Sequence, residues 1–219
     1  PTNPLLKVID LQEVCAVAQS LGIPVLVDNT FATALVQRPL ELGATLSLTS
    51  TTKYINGHSD ALGGAVCTND PDWHQKMVFS QKALGLQPSP FDCWLITRGI
   101  KTLPLRLRQQ MANAAALADQ LADHPRVNWV RYPHRPDHPQ HAIANQQMTA
   151  GGAIVTVSFN ASQDDTYALC KRLRWFTMAE SLGGIESLIC HPATMTHAAV
   201  SSEVTVSYTH LRAHETGYN

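Results

Sequence analysis

The run Ile23-Pro24-Val25-Leu26-Val27, closed by Asp28, limits what this chain can fold into more than any other segment. It has strand length and no polar alternation, which suits a strand covered on both faces, as in parallel sheets. The preceding segment agrees. Asp10 and Glu13 have capping-box spacing, and Leu11, Val14, Cys15, Val17, Ala18 and Leu21 recur at helical intervals. Gly22 stands where a helix C-terminus favours positive φ. A helix, a tight turn and a buried strand point to an α/β sheet. Further strands are expected at Thr45–Thr49 and Gly63–Cys67. Asp70-Pro71 reads as an N-cap with Pro at the first helical position, opening a helix to about Leu84.

Beyond Pro90 the pattern is helical to Leu121, with a kink or restart expected at Pro104. Val127–Arg131 reads as a strand, Pro133–Pro139 as a loop, Ala153–Phe159 as an alternating strand and Asp164–Leu173 as a helix. Trp175-Phe176-Thr177 reads as a strand entering a Gly turn at Glu180-Ser181-Leu182-Gly183-Gly184. The expected division is an α/β unit over 1–106 with a mainly parallel sheet, and a smaller α+β domain over 107–206. No strand or helix period is read after Val206, so 207–219 is expected to be a non-native tail. Pro1-Thr2-Asn3-Pro4 opens without Met, apparently in mid-domain, and the chain is expected to be a fragment.

Composition narrows the function classes. Formal net charge is -1, without a basic block, which disfavours nucleic acid or an anionic membrane as partner. No apolar run reaches the length of about 20 residues that a membrane span needs. Charged residues make up 15%, a deficit that suggests surface buried in subunit contacts. Cys15, Cys67, Cys93, Cys170 and Cys190 are scattered and odd in number, as in a reduced cytoplasmic protein.

Chemistry concentrates at Lys53. Ser50-Thr51-Thr52-Lys53-Tyr54 follows the second expected strand, as Asp28 closes the first. In α/β sheets ligands collect beyond the carboxyl ends of strands, so the amine and the acid are expected to share a site. Pyridoxal phosphate needs an amine for its aldehyde, hydroxyls for its phosphate and a carboxylate for its ring nitrogen. Lys53, Ser50, Thr52 and Asp28 supply that set. On its own Asp28 is equally an N-cap or turn acid. His58 and Asp60 read as a hydrogen-bonded loop, and His134, His138 and His141 lack the matched pair that a zinc site wants. No Gly-rich fingerprint follows a strand, which disfavours a plain nucleotide-binding module.

The chain resembles the Cys/Met-metabolism family of pyridoxal-phosphate enzymes, from Pro1 to about Ser202. The resemblance rests on Pro1-Thr2-Asn3-Pro4, Val27-Asp28-Asn29-Thr30-Phe31, the stretch Ser50 to Asp60, and Arg98-Gly99-Ile100-Lys101-Thr102-Leu103. It continues through His138-Pro139-Gln140-His141, Ala179 to Gly184, and Met195-Thr196-His197-Ala198. It implies a fold-type I transferase-like α/β architecture, with 1–106 the second half of the cofactor-binding domain and 107–206 a truncated C-terminal domain. It implies that Lys53 carries the cofactor and moves protons, Asp28 pairs with the ring nitrogen, and Ser50 and Thr52 hold the phosphate. Asn3 would lie by cofactor and substrate, Ser181 by the substrate carboxylate, and Thr196 would support Ser181. Glu180 resembles the γ-synthase and γ-lyase branch.

The implied activity is γ-replacement on an activated homoserine ester with cysteine, giving cystathionine for methionine biosynthesis. The alternative is γ-elimination of cystathionine to cysteine, 2-oxobutyrate and ammonia. A homotetramer acting on small amino acids is implied for the full-length protein. The family's upstream phosphate loop, its ring-stacking Tyr and its late Arg clamp have no counterpart in this sequence, so a non-catalytic truncated product is the other expectation.

Overall fold

The computed structural model describes residues 1–196 and the strand Leu211–His214. Helix α1 (Leu11–Ser20) begins where Asp10 accepts from the Glu13 amide, and Gly22 follows its end at φ 68°. Strand β1 (Leu26–Asp28), the short helix α2 (Thr33–Val36), strand β2 (Leu46–Ser50) and strand β3 (Gly64–Cys67) come next. They form a three-stranded sheet in the order β1-β2-β3. β1 and β2 run parallel; β3 is antiparallel to β2. The sheet is therefore mixed.

One expectation fails at β1. Leu26 is 50% exposed, not covered on both faces. β1 is the edge strand of this sheet, and among the described residues no strand pairs with its outer side.

Helix α3 (Pro71–Leu84) starts with Asp70 accepting from two amides and stops at Gly85, matching the sequence reading. Helices α4 (Pro90–Ile100) and α5 (Leu103–Ala122) break at Lys101-Thr102, so Pro104 marks a restart rather than a kink. Strand β4 (Val127–Arg131), helix α6 (His141–Gln147), strand β5 (Ile154–Phe159) and helix α7 (Gln163–Arg172) follow. Strands β6 (Thr177–Met178), β7 (Leu188–Cys190) and β8 (Leu211–His214) complete a five-stranded sheet in the order β4-β5-β8-β7-β6. β8 pairs with both β5 and β7, in a stretch where the sequence reading finds no strand. The order Leu211-Arg212-Ala213-His214 does alternate, but four residues are too few to register as a period.

Among the described residues two apolar cores form. Leu6, Val36, Tyr54, Leu107, Met148 and Leu182 belong to the first. Ala114, Ala118, Val130, Val155, Val157 and Ile189 belong to the second. Ile154 enters the first core while Val155 and Val157 enter the second, so β5 is buried on both faces. Its Thr156 hydroxyl donates to the Pro4 carbonyl at 2.7 Å, tying the N-terminal segment to the second sheet. The residue-106 division falls within α5, and the first core draws side chains from both sides of it.

Candidate active site

The parallel register sets Asp28 beside Leu48, so the carboxyl ends of β1 and β2 open on the same rim. Asp28 is the last residue of β1, and Ser50 the last of β2. The chain then turns through a wide helical turn, Thr51–Ile55, from which Lys53 departs with φ -90° and ψ -123°. Amine, carboxylate and hydroxyl thus reach one edge of one sheet, as the sequence reading expects.

Thr30 fastens this edge. Its amide donates to Asp28 Oδ1 at 2.9 Å, orienting the carboxylate, and its hydroxyl accepts from the Ser50 amide at 2.8 Å. The Asn29 amide donates to the Leu48 carbonyl at 2.8 Å, extending the ladder by one rung. The Asn29 side chain is buried and exchanges bonds with Gln37. Sequence reasoning gave neither residue a role of its own; the signal was their place immediately after the acid.

A cleft of about 660 Å³ lies over this rim, with Asn3, Asp28, Phe31, Ser50, Lys53 and Glu180 in its wall. That volume is within the usual range for a small-molecule cofactor site. Asn3 reaches the wall from a tight N-terminal turn, closed by Leu6 N–H to the Thr2 carbonyl at 2.8 Å.

The Glu180–Gly184 segment meets Lys53 from the other side. Lys53 Nζ donates to Ser181 Oγ at 3.2 Å. Gly183 has φ 82°, and a Cβ there would come within 2.5 Å of the Tyr54 nitrogen and 2.7 Å of the Lys53 carbonyl carbon. Only glycine lets this turn press against the lysine's backbone. Gln110 Nε2 secures the turn by donating to the Gly184 carbonyl at 3.0 Å.

Thr52 and Thr196 stand outside the cleft wall. The Thr52 hydroxyl accepts from the Gly63 amide at 3.0 Å and donates to the Gly63 carbonyl at 3.3 Å. Thr196 follows the short turn Pro192–Thr194, at the end of the first described stretch. His58 and Asp60 sit in the hydrogen-bonded loop expected of them: His58 Nδ1 lies 2.7 Å from the Asn56 carbonyl, and Asn56 Nδ2 donates to Asp60 at 2.8 Å. Among the described residues no cluster of His, Cys, Asp or Glu could hold a metal ion.

His138 has a structural task. The Gln140 amide can only donate, so Nδ1 accepts it at 3.1 Å and the proton sits on Nε2, facing the Leu6 carbonyl at 3.2 Å. Burial lowers its pKa below the ordinary histidine value, against the opposing pull of the Leu6 bond.

Residues 1–211 match the family model for Cys/Met metabolism PLP-dependent enzymes. The chain belongs to that family. A cystathionine gamma-synthase of Mycobacterium tuberculosis is 49% identical over 201 residues, covering 92% of this chain and 52% of the relative. A cystathionine gamma-lyase of Dictyostelium discoideum is 46% identical over 203 residues, covering 93% of this chain and 52% of the relative. The crystal structure of a cystathionine gamma synthase from Xanthomonas oryzae pv. oryzae, in complex with aminoacrylate and cysteine, superposes with a TM-score of 0.95 at 45% identity. It covers 100% of this chain and 58% of that one. The chain thus spans about half the length of the curated relatives it matches. The Cys/Met-metabolism fold, fold-type I and cofactor-dependent, is the one the resemblance implied.

The rim fits pyridoxal phosphate chemically. It offers an amine for the aldehyde, a carboxylate held in place by Thr30, and the Ser50 hydroxyl, all on one cleft wall. Among the described residues no helix is long and apolar enough to cross a membrane.

Proposed function

We propose that the full-length protein is a trans-sulfuration enzyme that performs γ-replacement, joining an activated homoserine ester to cysteine to give cystathionine. The observation that carries this reading is that Lys53, Asp28 and Ser50 line one cleft, with the Lys53 amine 3.2 Å from the Ser181 hydroxyl and the Asp28 carboxylate oriented by Thr30. Bound pyridoxal phosphate supplies an electron sink. Lys53 attaches it through its amine and, once released, carries protons between carbon atoms of the substrate. Asp28, oriented by the Thr30 amide at the end of β1, pairs with the ring nitrogen. Ser50 donates to the phosphate. Thr52 can do so only by leaving the Gly63 carbonyl, since one hydroxyl has a single hydrogen. Asn3 and Ser181 receive the substrate, Thr196 supports Ser181, and Glu180 at the cleft wall selects γ-substituted amino acids.

γ-Elimination of cystathionine is the second reading, because the Dictyostelium lyase matches almost as well as the mycobacterial synthase. We further propose a cytoplasmic homotetramer. Phe79, Phe91 and Trp94 are 71%, 64% and 55% exposed on α3 and α4, apolar surface of the kind subunit contacts cover.

The test uses the full-length protein loaded with pyridoxal phosphate. Borohydride reduction followed by peptide mass mapping should place the cofactor on Lys53. O-succinyl- or O-acetylhomoserine with cysteine should yield cystathionine, and cystathionine alone should turn over more slowly. Inactivity with both would end the γ-chemistry reading. Light scattering of the eluted peak measures the subunit number.

A further inference from the structure

Arg106 is half-buried in α5 and donates to uncharged groups. Its Nη1 donates to the Tyr54 carbonyl at 3.0 Å. Its Nη2 faces three more carbonyls, Gly99 at 2.8 Å, Ile55 at 3.3 Å and Asn56 at 3.5 Å. Nε donates to Thr102 Oγ1 at 3.0 Å. Tyr54, Ile55 and Asn56 are the residues immediately after Lys53, at the end of its turn, where carbonyls lack partners within the helix. A fixed cation at such an end also meets the negative pole of the turn.

Two glycines make room for this knot. A Cβ on Gly57, at φ 73°, would strike the Arg106 guanidinium, and a Cβ on Gly99 would strike the Asn56 carbonyl. Burial lowers the Arg106 pKa from its ordinary value, yet an arginine keeps its charge at any physiological pH. Sequence, glycine placement and fork geometry all serve the one turn that carries the lysine.

We propose that Arg106 is a positioning residue, which locks the backbone after Lys53 so that the amine holds one orientation toward Ser181 and the cofactor. The proposal rests on the reading of Lys53 as the cofactor-bearing lysine. Lysine cannot replace Arg106, because an ammonium is a point charge with no planar fork and cannot span these carbonyls together.

The test compares wild type, Arg106→Lys and Arg106→Met in the full-length protein, with Arg135→Lys as control. Arg135 pairs with Asp119 and Asp137, away from the cleft. Cofactor is removed and added back, and absorbance follows attachment to Lys53. Arg106→Lys should slow attachment by about tenfold, the scale of one lost charge-assisted bond. It should also shift the pH midpoint of the attached chromophore, speed amide exchange at Tyr54–Gly57, and lower kcat more than it changes KM. Guanidinium ion at millimolar concentration should partly restore attachment in a folded Arg106→Met protein. If Arg106→Met fails to fold, Arg106→Lys alone decides. Wild-type attachment rate and chromophore midpoint in Arg106→Lys would overturn the proposal, as would loss of thermal stability with both unchanged. Failure of the wild type to attach cofactor at Lys53 would instead overturn the underlying functional reading.

Discussion

Lys53 and Ser181 touch across 128 positions of sequence, Nζ to Oγ at 3.2 Å. Such a contact exists only if the second half of the chain folds back onto the first. Ser181→Ala removes an oxygen that accepts from the Lys53 amine. Activity at saturating substrate should fall about tenfold while cofactor attachment persists. Steady-state kinetics beside an absorbance measurement of attached cofactor check this; loss of attachment would give Ser181 a different task.

Asp28→Asn keeps shape and removes charge. Thr30 should still orient the side chain through Oδ1. Cofactor affinity should weaken, and turnover should fall by about a hundredfold or more, as expected when a preorganised charge at the reacting group is lost. Equilibrium dialysis of cofactor and turnover at saturating cofactor separate the two effects.

Gly183→Ala forces a side chain into the Lys53 backbone at a positive φ. The cost should be about 1–3 kcal/mol, with the site displaced as well. A urea midpoint and a cofactor-attachment rate should both fall. A midpoint equal to wild type would mean that the turn can retreat.

His138 makes stability fall on the acid side. Its folded pKa is lowered, chiefly by burial, so the unfolded chain binds more protons just below the ordinary value of about 6.5. The stabilisation is fully present above that value and is lost as pH falls from it through the lower folded pKa. Arg131 and His141 push the same way, while Asp137 and the Leu6 bond oppose them. His134 and His191 are lowered too, also mainly by burial. Urea midpoints should drop between about pH 7 and pH 5, and His138→Gln, which can still donate toward the Leu6 carbonyl, should flatten part of that slope.

Leu107 is 1% exposed within the first core. Leu107→Ala should cost about 2–5 kcal/mol by the usual cavity argument. Denaturant unfolding of the full-length protein measures it.

Elements with local signals were legible. Asp10, Asp70 and Pro71 act on amides or dihedrals a few residues away, so α1 and α3 begin where the sequence places them. The shared cleft wall of Lys53 and Asp28 was legible because two strand ends could be read and the sheet rule puts ligands there. Exposure of Leu26 was not legible, because apolar letters cannot reveal a missing neighbour strand. α6 escaped notice because it is a short helix held from outside: the Gln147 side chain bonds the Leu11 amide, the Ile9 carbonyl and Gln37. β6, Thr177–Met178, overlaps the strand read at Trp175–Thr177 only at Thr177, and the three residues of β7 are below any detectable period. Arg106 escaped for another reason: apart from the Thr102 hydroxyl its partners are backbone carbonyls, which every residue carries, so no partner type in the sequence announces it.

Helix α5 gives Leu103 and Leu107 to one core and Ala114 and Ala118 to the other. Between Arg106 and Ala118 runs about 18 Å of uninterrupted α-helix at 1.5 Å per residue. A rod that is seated at both ends cannot tilt at one without tilting at the other. Repacking far from the cleft, at Ala118 or Val130, is therefore a mechanical disturbance of the lysine, and the two sheets must drift together as sequences in this lineage change.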